Sequence, residues 1–117
     1  MDGGAKGGVA RSRWRAMKAF VLSDEARSDL FEVWAFVARS NPSAADKLEH
    51  DIMQGCALLA RRPDIGHRRR DLCADEQVRF HTVRVWYLIV YEIRTEPVRI
   101  VRILHGARDA AQELMNE

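Results

Sequence analysis

Apolar positions recur along this chain with two different periods. The run MKAFVL (17–22) is short and apolar and predicts a strand. Ser23 follows as an N-cap, with Asp24 and Glu25 placed to complement the dipole of a first helical turn. Ala26, Leu30, Val33, Trp34 and Val37 then fall on one stripe, which predicts an amphipathic helix to about Arg39. Asn41-Pro42 ends that helix and starts another, with Asn as cap and Pro at the first helical position. Ala45, Leu48, Ile52, Cys56 and Leu59 share a face of this second helix, which stops near Arg62 before Pro63 and Gly66. Two helices joined so closely must fold back as an antiparallel hairpin.

Beyond Pro63 the pattern changes. Residues 63–76 have no clean period and read as a connecting loop. Val78 to Val83 roughly alternates. Trp86 to Ile93 is apolar and rich in β-formers, with Tyr87, Ile89, Tyr91 and Ile93 on one face and Leu88 and Val90 on the other. A strand apolar on both faces is covered on both sides. Arg94-Thr95-Glu96-Pro97 is a hairpin turn signal, and Val98 to Leu104 is a further run. A short last helix is expected at about 107–115, after Gly106. The order is β-α-α-β-β-β. This is an α+β class: a two-layer fold with the helix hairpin packed on a small, mainly antiparallel sheet.

Composition sharpens this picture at one end. The chain has 117 residues, room for one domain. Four of its seven glycines lie within the first eight residues, and residues 1–16 carry Lys6, Arg11, Arg13 and Arg15 against Asp2 alone. Nothing apolar there repays the entropy of ordering glycine. Residues 1–16 are therefore expected to be a flexible basic tail, and 17–117 the domain. The tail lacks the apolar stretch of a secretory signal. No apolar run reaches the roughly 20 residues of a membrane span. The expected location is the cytoplasm, with Cys56 and Cys73 as reduced thiols. Those cysteines with His67 and His81 lack the clustered spacing of a zinc site, and neither a metal nor another cofactor is expected.

The formal charge of +2 is a cancellation. Residues 24–51 hold seven acids and three bases, 3 − 7 = −4, whereas 61–108 hold eleven bases and six acids, 11 − 6 = +5. Every base in the second stretch is arginine, whose planar fork suits carboxylate or phosphate. One arginine stands out. Arg102 lies between Ile100 and Leu104, where an unpaired charge is costly, so Glu92 or Asp109 is expected as its partner. Trp34 and Trp86 read as core anchors, and Tyr87 and Tyr91 as sheet-face packing.

Five stretches carry a resemblance: FVLSDEARSDLFEVWAFVA (20–38), NPSAADKLEHDI (41–52), LARRPDIGHRR (59–69), VRFHTVRVWYLIVYEI (78–93) and VRIVRILHGARD (98–109). Together they resemble the RelE/ParE toxin superfamily, with wording closer to the ParE branch. The resemblance implies the toxin of a type II toxin–antitoxin, or plasmid stabilisation, module, neutralised by a cognate ParD-like antitoxin. ParE-like members act on DNA gyrase without being enzymes. RelE-like members are metal-free ribonucleases that cut messenger RNA on the ribosome.

Fold does not choose between these targets. A ribonuclease needs a base, an acid and cations for phosphate. Arg79, Arg84, Arg102, His105 and Arg108 are the residues available. No tyrosine follows Tyr91 and no lysine lies in the sheet region, two departures from the RelE-like scheme. The partner-binding candidates are Arg68, Arg69, Arg70, Arg79, Arg84, Arg102 and Arg108, since an antitoxin segment is expected to be acidic. A non-toxic member kept as an interaction module is the third reading.

Overall fold

A computed structural model describes residues 19–106. The expected tail 1–16 and last helix 107–115, with Arg108 and Asp109, lie outside the described residues. The elements are β1 (Phe20–Leu22), α1 (Asp24–Ala38), α2 (Pro42–Arg61), a 3₁₀ turn (Pro63–Ile65), β2 (Val78–Val83), β3 (Tyr87–Glu92) and β4 (Val98–His105). The four strands form one sheet in the order β1-β4-β3-β2. β1 runs parallel to β4, and the other neighbours are antiparallel. The α+β order read from the sequence is the observed one.

Local chemistry explains the helix boundaries. The Ser23 hydroxyl accepts from the Ala26 amide at 3.0 Å and donates to the Val101 carbonyl at 2.7 Å. One side chain thus caps α1 and fastens it to β4. The Asn41 side chain accepts from the Ala44 amide at 3.0 Å, and Pro42 opens α2.

The sheet divides two apolar clusters. On the helix side, Ala26, Leu30, Leu48, Ile52, Cys56 and Leu59 meet Val83, Ile89, Tyr91, Val98, Ile100 and Ile103. Gly55 lets α2 approach closely, because a Cβ there would lie 3.0 Å from both Ile89 Cδ1 and Val83 Cγ2. On the other side Leu72 covers Val78, Phe80, Leu88, Val90 and Leu104. This second cluster is why β3 is apolar on both faces. The segment expected as a plain loop therefore has structure of its own: a 3₁₀ turn, a bridge from His67 to Phe80, and the Leu72 cover.

Two core expectations are corrected. Trp86 is 64% exposed, because the Val83–Tyr87 pairing places it in the turn between β2 and β3 rather than on a strand. Trp34 is half-buried and lies outside both clusters; its indole N–H donates to Asp46 of α2 at 2.9 Å. It sits at the hairpin's edge because an indole needs a partner for its N–H.

Candidate functional site

The arginines of the sheet half fall into three settings. The first is buried. Arg102 meets Asp29 of α1, Nε to Oδ2 at 2.7 Å and Nη2 to Oδ1 at 3.0 Å, with side chains 11% and 12% exposed. The same carboxylate accepts from the Ile103 amide at 3.0 Å. Of the two expected partners, Glu92 faces Arg99 instead, at 3.8 Å, and Asp109 lies outside the described residues. A β-bulge between Val90 and Tyr91 in the β3–β4 ladder lies opposite this point. Asp29 is flanked by the apolar stripe of α1, one turn before Val33. An acid on the margin of a helical stripe, facing a strand with an inward arginine, is the signal that could have found it.

The second setting is the segment after the 3₁₀ turn. Arg69 is bidentate to Asp71 at 3.0 and 2.7 Å, an ion pair that raises the arginine and lowers the carboxyl from their ordinary pKa values. Arg68 lies 3.8 Å from Glu76, and Arg70 is exposed. Nearby, Arg79 donates to the carbonyls of Glu76 at 2.5 Å and Val78 at 3.4 Å. The start of this segment is fixed by Tyr91, whose hydroxyl donates to the Pro63 carbonyl at 2.5 Å and accepts from the Gly66 amide at 3.0 Å. Burial holds the Tyr91 phenol above its usual pKa, so it stays a donor. A Cβ at residue 66 would overlap the Tyr91 ring, so only glycine fits there.

The third setting is the tip between β2 and β3. Arg84, Val85 and Trp86 make the connection, and both Arg84 (φ 55°) and Val85 (φ 71°) are left-handed. Glycine and asparagine are the usual residues for such a turn. A β-branched residue there is a true outlier, and each strained position costs roughly 1–3 kcal/mol. The turn is held from two sides. Arg84 Nε donates to Asp51 of α2 at 2.7 Å, and the Trp86 carbonyl accepts from the Gly106 amide at 2.6 Å. Tyr87 meets the His105 ring edge-on at 5.0 Å between centroids. Val85 and Trp86 stand in solvent, 79% and 64% exposed. The sequence contained both residues but no turn signal at 84–86.

These settings bear on the chemistry weighed above. Arg79 shares a row of the sheet with Tyr91 and Ile100, while His105 shares one with Val83 and Tyr87. Four residues along a strand separate the rows, roughly 13 Å. The Arg79 guanidinium is turned to carbonyls and that of Arg102 is engaged by Asp29. Arg108 lies outside the described residues. Among the described residues no group of three or more His, Cys, Asp or Glu side chains could hold a metal ion. Burial pushes the Cys56 thiol up to about 12, far from the thiolate a ligand or nucleophile needs.

The family model for the ParE toxin of the type II toxin–antitoxin system, parDE, matches residues 20–110. The chain belongs to this family. Its fold resembles that of a solved chain from the chromosomal ParDE system of P. aeruginosa, at 22% identity and a TM-score of 0.62. The alignment covers 77% of this chain and 97% of that one. No curated protein matches the chain. The ParE-family assignment covers all three arginine settings described above. The residues that tie the helix hairpin to the sheet, Asp29, Asp51, Arg84 and Arg102, all lie inside the matched region.

Proposed function

We propose that this ParE-family toxin acts by binding rather than by catalysis, poisoning DNA gyrase in the cytoplasm until a ParD-like antitoxin covers it. The match to the ParE toxin family over residues 20–110 carries the reading. The scattered placement of Arg79, Arg102 and His105 supports it against a ribonuclease, whose cations and proton donor must face one phosphate. The related ParDE structure supports the antitoxin as partner. Arg70, with Arg68 and Arg69 of the same loop, offers an acidic segment its charge complement. No helix among the described residues is long and apolar enough to cross a membrane.

The test is a supercoiling assay with purified protein, with and without the antitoxin encoded beside it. Gyrase inhibition with accumulation of broken DNA, relieved by antitoxin, is the expected result. Unchanged gyrase activity under conditions where a known poison works overturns the target. Transcripts cut at codon boundaries on ribosomes, abolished by His105→Ala, would establish the RelE-like activity instead.

A further inference from the structure

We infer that the β2–β3 tip, with Val85 and Trp86 at its end and Tyr87 and His105 at its base, is a preformed knob that inserts into an apolar pocket of the toxin's folded protein target. The inference rests on the binding-toxin reading above and adds the surface that does the binding.

Three observations carry it. The first is cost without local return. Two consecutive left-handed residues, neither glycine nor asparagine, hold the turn, and the apolar side chains at its end, Val85 and Trp86, go to solvent rather than to either apolar cluster. Strain that serves no packing inside the molecule points to a use outside it. The second is rigidity. Asp51 holds Arg84 from the helix hairpin, and Gly106 holds the Trp86 carbonyl from the end of β4. A turn fixed at both sides loses little freedom on docking. The third is charge. The tip's single cation, Arg84, is already matched by Asp51 at 2.7 Å. Nucleic acid draws its affinity from cations set against phosphates. A neutral apolar end with a tryptophan fits a desolvated protein pocket, where tryptophan and tyrosine supply most of the binding energy.

The shape selects which protein. A disordered antitoxin segment folds into a concave groove or along a strand edge. A rigid convex tip needs a cavity that exists beforehand, and only a folded partner offers one. The tip therefore belongs to the target and not to the antitoxin tail.

The experiment compares the full-length wild type with Trp86→Ala and Val85→Asn. Each is tested for gyrase inhibition, growth arrest on induction, thermal midpoint and affinity for the antitoxin. Asparagine tolerates the left-handed conformation, so Val85→Asn is expected to keep or raise the midpoint while losing potency. Trp86→Ala is expected to keep the midpoint within a few degrees and to lose at least ~10-fold in inhibition. Antitoxin affinity should stay within about threefold in both, a change of under 1 kcal/mol. A folded Trp86→Ala protein that inhibits like wild type overturns the knob and leaves the gyrase reading standing. Growth arrest without gyrase inhibition overturns the gyrase reading, and loss of that arrest in both variants still supports the knob. A wild type that does neither overturns both. Binding of labelled single-stranded RNA or duplex DNA that Trp86→Ala abolishes overturns the protein pocket in favour of nucleic acid.

Discussion

Arg102 and Arg84 each reach from the sheet to an aspartate of the helix hairpin, and both pairs close at 2.7 Å. Their surroundings differ. The Arg102–Asp29 pair has side chains 11% and 12% exposed and draws in the Ile103 amide. The Arg84–Asp51 pair has side chains 42% and 43% exposed and stands under the strained tip. The same chemistry therefore does two jobs. Out of water, neither ion of the first pair tolerates loss of the other, so the pair fixes where α1 lies on β4. In water, the second pair adds little to stability, and its consequence is the direction in which Val85 and Trp86 point.

The largest expected effect comes from breaking the buried pair on one side. Asp29→Ala takes the bidentate carboxylate from the Arg102 guanidinium and the acceptor from the Ile103 amide, with an expected loss of about 3–5 kcal/mol, measurable by denaturant unfolding. Removing both charges sharpens the point. Asp29→Leu with Arg102→Met should recover at least about half of that loss, since an apolar replacement escapes the desolvation penalty. A double variant no more stable than Asp29→Ala would mean that the pair's worth lies in its hydrogen bonds rather than its charges.

Some of this was legible in the sequence. The Asn41-Pro42 helix start, the two-sided apolar strand and the strand after it follow from local chemistry and period, and the structure keeps them. The cost of an inward Arg102 was legible too. Its partner was marked only by being an acid on the margin of the α1 stripe, because Asp29 is 73 residues away and only the stacking of α1 on β4 brings the two together. Trp86 failed for a different reason. Its apolar character spoke for the core, and nothing at 84–86 carried the glycine or asparagine that marks a left-handed turn. A site built on strain is illegible to rules that describe relaxed chains. The arginine loop is legible as a connecting loop with partner-binding candidates but not as an anchored segment, since the Tyr91–Gly66 tie that positions it spans 25 residues.

That tie supplies an uncharged counterpart to the two ion pairs. Tyr91→Phe removes one donor and one acceptor, leaving the Pro63 carbonyl and Gly66 amide without their partner, and should cost about 1–3 kcal/mol. Thermal melts at two ionic strengths separate it from the charged ties, because this loss should not change with salt. Asp51→Ala should cost less, under about 1 kcal/mol, and that small loss should shrink further in high salt. The exposed pair's real signature is functional. Asp51→Ala frees Arg84 and with it the tip, so inhibition of the target should fall more than the thermal midpoint does. Equal small losses in both would reduce the pair to ordinary surface chemistry.

The smallest expected effect concerns a side chain that is half-buried and uncharged. His81 lies under α2, its ring 3.9 Å from where a Cβ on Gly55 would stand. Burial, and secondarily the charge of His67, hold its pKa below the ordinary 6.5. The folded state therefore binds its proton at lower pH than the unfolded chain does. The unfolded chain carries more protons in the window between the two values, so stability rises with pH there. The contribution is complete above the unfolded value and is lost as pH falls below about 6.5 towards the lowered folded value. Thermal midpoints taken from pH 7.5 down to 5 should fall over that window, and His81→Gln should flatten the fall. The Asp29→Ala and Asp51→Ala proteins should keep it, since neither aspartate is among the causes of the shift. A wild-type midpoint unchanged across this window would show that the ring takes its proton without leaving the shelter of α2.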